Sequence, residues 1–189
     1  MEADGLDKVL KEMEDSMKKT ISSYKKYLTT VKTGRAHVSM FESIKVEAYG
    51  QQMAIKQLAT ISTPDATTVV IQPWDASVIN DIEKAILKSN IGFTPQNDGK
   101  TIKINIPPMT EEDRKKVIKL LKQETENYKV ALRNARKKAL KVVKDLEKDK
   151  IISEDESKKA EKDIKKKLDD YSKKVEELLK EKEKEIVSI

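Results

Sequence analysis

His37 is the one histidine in this chain, and no cysteine occurs anywhere, so acid–base and metal chemistry have almost no material to work with. A metal would need further ligands and a proton shuttle would need a partner; the adjoining Ala36 and Val38 supply neither. His37 therefore reads as a surface or packing histidine. Carboxylates are plentiful but interleaved with lysine, as in Glu181-Lys182-Glu183-Lys184-Glu185, which is the pattern of a solvated helix face. There is no P-loop, no G-x-G-x-x-G and no G-x-S-x-G. The expectation is a protein without catalytic residues, cofactor or metal; a hydrolase would lack any constellation to carry it.

The chemistry the chain does offer is cationic. Between Lys129 and Lys144 lie Lys129, Arg133, Arg136, Lys137, Lys138, Lys141 and Lys144, with no acidic residue among them. On a helix turning about 100° per residue, Lys129, Arg133, Arg136, Lys137 and Lys144 share one flank, between a buried seam and open solvent. Arg133 and Arg136 are two of only four arginines in a chain with 39 Lys and Arg in all. A guanidinium fork suits bidentate phosphate contact, whereas a lysine acts as a mobile point charge. These five residues are the candidate nucleic-acid-binding set; a merely solvated face is the bland alternative. Trp74, in Gln72-Pro73-Trp74-Asp75, could stack on a base, but a lone tryptophan beside a strand of a small module reads as core or core rim. No aromatic RNA-recognition motif accompanies the stripe, so recognition should rest on shape and phosphates.

Three long amphipathic helices must carry these residues. Leu6, Leu10, Met13, Met17, Ile21, Tyr24, Leu28 and Val31 form the stripe of the first. Val117, Leu121, Tyr128, Ala131, Ala135, Ala139, Val142 and Leu146 form that of the second, which opens after Pro107-Pro108 with a cap at Thr110–Asp113 and is interrupted by Glu124. Ala160, Ile164, Leu168, Tyr171, Val175, Leu178 and Ile186 mark the third, opened by a Ser153–Glu156 capping box. Acidic and basic residues nearly balance from Glu154 to Glu185, unlike the basic stretch before them. Seams this narrow can be hidden only against one another, and the short Lys148–Ile152 link makes the second and third helices antiparallel neighbours: an elongated three-helix bundle.

Between Lys32 and Ile106 the period changes. Ile44–Ala48 and Ile102–Ile106 alternate, Thr67–Ile71 is β-branched, Asp98-Gly99 signals a tight turn, and Val78, Ile82, Ala85 and Ile86 mark a short helix ending near Asn90-Ile91-Gly92. The fold class is thus α+β, with a bundle of residues 1–31 and 106–189 and an inserted β/α/β domain of residues 32–105. Thr33, Gly34 and Arg35 at one crossing and Ile106, Pro107 and Pro108 at the other are the candidate hinge, although ordinary linkers would look the same.

The formal net charge of +6 and pI of about 9.2 favour a polyanionic partner. No apolar run of signal-peptide or membrane-span length follows the acidic N-terminus, so a cytoplasmic protein with no membrane partner is expected.

From end to end the chain resembles ribosome recycling factors. The likeness is carried by Val31-Lys32-Thr33-Gly34-Arg35-Ala36, Glu83-Lys84-Ala85-Ile86, Asp98-Gly99, Ile106-Pro107-Pro108-Met109-Thr110-Glu111-Glu112, Val130-Ala131-Leu132-Arg133-Asn134-Ala135-Arg136-Lys137 and Ile152-Ser153-Glu154-Asp155-Glu156, in the family's order. His37-Val38 stands where many relatives have Ser-Pro, and Asp113-Arg114 where many have Arg-Arg. The resemblance implies an L-shaped monomer of roughly transfer-RNA outline with a hinged head. It implies binding between the ribosomal subunits after peptide release, and subunit separation with elongation factor G and GTP hydrolysis. It also implies that Arg133 and Arg136 touch large-subunit ribosomal RNA. A helical scaffold or chaperone-like protein is the alternative from another class.

Overall fold

A computed structural model of the chain describes residues 2–89 and 92–187. The elements are α1 (Glu2–Thr30), β1 (Lys45–Ala48), β2 (Gln51–Ala54), β3 (Ala59–Asp65), β4 (Thr68–Pro73), α2 (Ile79–Lys88), β5 (Pro95–Asn97), β6 (Ile102–Asn105), α3 (Glu111–Lys148) and α4 (Glu154–Val187). They fall into two compact units, one made of the chain up to Val31 with Lys115–Glu185, the other of Lys32–Arg114 with the chain end from Ile186.

The first unit is the helical bundle, whose longest helix, at 38 residues, spans about 57 Å. Met13, Met17, Ile21, Tyr24 and Leu28 of α1 are buried as the stripe predicts, as are Ala160, Ile164, Tyr171 and Val175 of α4. On α3 the seam differs from the predicted one: Leu132 is buried and Ala131 exposed, and Val143 is deeper than Val142. The break at Glu124 disappears, because Thr125 fills the seam one residue on. Its hydroxyl donates to the Leu121 carbonyl at 2.7 Å and lies 2.9 Å from the Tyr24 hydroxyl. A polar residue can occupy an apolar seam when its hydroxyl is satisfied in this way. Burial pushes the Tyr24 hydroxyl above its ordinary pKa.

Helix α3 starts at a cap in which the Thr110 hydroxyl accepts from the Asp113 amide at 3.1 Å, and α4 starts likewise, Ser153 accepting from Glu156 at 3.1 Å. Between them the chain turns through Lys150, whose φ of +56° is unusual for a residue with a side chain, while the Ile151 amide donates to the Leu146 carbonyl at 2.9 Å. The antiparallel pairing expected of α3 and α4 is present: Lys122 meets Glu183 and Lys129 meets Glu176.

The second unit, the head, holds a β1–β2 hairpin and a four-stranded antiparallel sheet ordered β3-β4-β6-β5, with α2 against β1 and β5. Phe41, Val46, Val69, Ile71, Ile82, Ile86, Ile102 and Ile104 form its core. Its antiparallel β-rich content is larger than the predicted β/α/β, since β2, β3 and β5 are additional. Helix α2 ends at Lys88, capped by Ser89; Asn90 and Ile91, where that end was predicted, lie outside the described residues. The predicted tight turn is present: Gly99 has φ +88°, and Asp98 accepts from the Lys100 and Thr101 amides at 2.9 and 2.7 Å. Ile106 packs in the head core, its amide donating to the Thr67 carbonyl at 2.7 Å, so the head continues past residue 105.

Candidate nucleic-acid interface

Helix α3 holds the five candidate cations in the order their spacing requires, but the five are not equivalent. Lys129 is half-buried, its side chain 27% exposed, and pairs with Glu176 of α4. Arg133 lies along the helix surface and its guanidinium donates to Glu126 two turns earlier at 2.7 Å, with the two side chains 48% and 55% exposed. That contact holds the Glu126 carboxyl below its ordinary pKa, first through the hydrogen bond from Arg133 and then through its charge. Arg136 is half-buried at the groove edge, and Lys137 and Lys144 stand in solvent. Among the described residues, none of these last three is in an ion pair. The flank therefore has a part already engaged by carboxylates and a part open to an incoming anion. The intramolecular partners Glu126 and Glu176 escaped the sequence reading. For Glu126 a signal existed: residues seven apart on a helix differ by only about 20° in direction, which puts it on the flank of Arg133.

The remaining expectations resolve as follows. Thr33 is buried, with its hydroxyl accepting from the Arg35 amide at 3.3 Å and 3.3 Å from the His37 Nε2. His37 is accordingly a half-buried packing histidine whose side-chain partner is a hydroxyl. Gly34 has φ +77°, a conformation that favours glycine, and Pro107 and Pro108 are exposed. Trp74 corrects its prediction. It is 67% exposed, with its indole N–H donating to the Thr60 hydroxyl at 3.0 Å. The reason is strand alternation. Val69 and Ile71 of β4 point into the core, so the even-numbered positions, extended to 74, face outwards. Next to it Tyr49, 61% exposed, donates its hydroxyl to Asp75 at 2.5 Å.

Among the described residues no group of three or more His, Cys, Asp or Glu side chains could hold a metal ion, and no helix is long and apolar enough to cross a membrane. What the surface offers is a line of phosphate-seeking cations on a long helix.

Bundle and inserted head define a two-unit α+β protein whose longest helix carries a basic flank. The chain belongs to the ribosome recycling factor family: the model of that family, described as "Ribosome recycling factor", matches residues 24–187. It is 49% identical over 185 residues to the ribosome-recycling factor of Fusobacterium nucleatum, covering 97% of each chain. Identity to that of Carboxydothermus hydrogenoformans is 48% over 181 residues, covering 96% of this chain and 98% of the relative. A solution structure of the ribosome recycling factor superposes with a TM-score of 0.81 at 40% identity, covering 97% of this chain and 98% of that one. A second structure, described as models for the T. thermophilus ribosome recycling factor and the E. coli elongation factor G bound to the E. coli post-termination complex, matches with a TM-score of 0.66, also at 40% identity, and covers 96% and 98% of the two chains.

Proposed function

We propose that this protein binds the post-termination ribosome through large-subunit ribosomal RNA, using Lys129, Arg133, Arg136, Lys137 and Lys144. With elongation factor G and its GTP hydrolysis it promotes separation of the subunits and release of mRNA and tRNA. It acts as a cytoplasmic monomer and has no catalytic centre of its own: the GTP is turned over by its partner. The observation that carries this reading is the coincidence of two independent facts, an acid-free cationic run from Lys129 to Lys144 on α3 and membership of a family with a solved relative described on that complex beside elongation factor G. Thr33-Gly34-Arg35 and Pro107-Pro108 serve as the hinge of the head, while Ile106, predicted to be part of that hinge, packs in the head's core and moves with it.

The test is a subunit-splitting assay on post-termination ribosomes with purified protein, elongation factor G and GTP. Light scattering should fall only when all three are present. Splitting that proceeds equally well without the protein, or GTP turnover by the protein alone that survives further purification, contradicts the proposal.

A further inference from the structure

The five cations of the α3 flank differ in what they already touch. Arg133 and Glu126 lie on one flank of one helix, about half exposed, and are joined by a charge-assisted hydrogen bond at 2.7 Å. A carboxylate and a phosphate engage a guanidinium through the same fork of N–H donors, so both cannot use it fully at once. Lys129, one turn before Arg133, is held by Glu176 of α4. Arg136, Lys137 and Lys144 are in no ion pair among the described residues.

We infer that Glu126 is a resident competitor for Arg133, an internal carboxylate that occupies the guanidinium until a ribosomal-RNA phosphate displaces it. The inference rests on the proposed reading of this flank as the RNA interface. Its physical content is an exchange. The phosphate arrives first at the open cations Arg136, Lys137 and Lys144, and Arg133 changes partner only when RNA is already held there. The released Glu126 is left beside a polyanion, where like charges repel, so short or poorly placed anions gain little from Arg133. The device sacrifices some affinity and gains discrimination against anions that cannot fill the whole flank.

The experiment measures binding of full-length protein to purified large ribosomal subunits across a salt series. It compares the parent with Glu126→Gln, with Arg133→Ala, with the double variant, and with Asp145→Asn, which removes one negative charge from an exposed position about 120° round the same helix from Arg133. Glu126→Gln should bind roughly two- to fivefold more tightly than the parent, the scale of an exposed ion pair. Its salt dependence should be steeper, because no carboxylate is freed to recruit a cation. Asp145→Asn should show neither effect, and Glu126→Gln should gain less in the Arg133→Ala background, where only the repulsion between the carboxylate and the RNA is left to relieve. Thermal melting of each variant controls for folding.

Glu126→Gln that matches Asp145→Asn, or that keeps its whole gain without Arg133, overturns the competition. Glu126→Gln that binds more weakly than the parent overturns it too, and makes Glu126 a positioning residue for Arg133. In all three cases Arg133→Ala still weakens binding and the interface itself stands. Arg133→Ala that binds as tightly as the parent removes the interface, and the competition with it.

Discussion

Helices α3 and α4 lie side by side in one bundle, with similar lengths and equally narrow seams, yet they use charge in opposite ways. Helix α4 carries 12 acidic and 11 basic residues, and several are committed to its neighbours: Lys167 to Glu14 of α1 at 2.7 Å, Glu176 to Lys129 and Glu183 to Lys122 of α3. Helix α3 carries 13 basic and 7 acidic residues, and among the described residues Arg136, Lys137 and Lys144 are in no ion pair. Total charge is therefore a poor guide to a binding face. What distinguishes α3 is charge left over after the bundle's own pairing, confined to one flank.

The largest expected effect comes from removing the two arginines of that flank. Arg133→Ala with Arg136→Ala should weaken ribosome binding by at least about tenfold, because a charge-assisted contact contributes about 1.5–3 kcal/mol, while the melting temperature moves little. Equilibrium binding and thermal melting on the same samples check both halves. The converse variant strikes the seam beneath. Thr125→Val deprives the buried Tyr24 hydroxyl of its partner and should cost about 1–3 kcal/mol of stability, read from denaturant unfolding, with ribosome affinity unchanged at a temperature where the variant is folded.

Smaller effects sharpen the contrast from the α4 side. Glu14 is held below its ordinary pKa, first by the hydrogen bond from Lys167. A carboxylate with a depressed folded-state pKa contributes stability that is present above its unfolded value and is lost as pH falls through the folded one. Stability should therefore decline as pH drops below about 4.5, and Glu14→Gln should make that decline shallower in acid-denaturation curves. Smallest is the turn joining the two helices. Lys150 holds φ +56°, so Lys150→Gly should raise stability by up to about 1 kcal/mol and leave binding untouched.

How far the sequence could be read follows the same division between periodic and local features. The seams of α1 and α4 and the basic flank of α3 were legible because helical spacing makes them periodic. Thr125 was hidden because a polar letter does not announce an apolar position, and only its bonds to Leu121 and Tyr24 make it one. Strands β3 and β5 were missed because Pro64 and Pro95 argue against strands. Both lie at sheet edges, where a missing amide costs no ladder bond. Trp74 was misplaced by residue type where counting outward from Val69 and Ile71 would have placed it correctly. The cations of the proposed interface were legible on one flank, but Glu176, which pairs with Lys129, becomes visible only through the packing of α4.

The central claim is that the basic flank of α3, and not the balanced surface of α4, faces ribosomal RNA. Lysine-modification footprinting on the large subunit tests it most directly, since Lys137 and Lys144 on α3 and Lys165 and Lys173 on α4 are all exposed in the free protein. Binding should protect Lys137 and Lys144 from labelling and leave Lys165 and Lys173 as reactive as before. Protection of the α4 lysines with Lys137 and Lys144 still fully labelled would contradict the account.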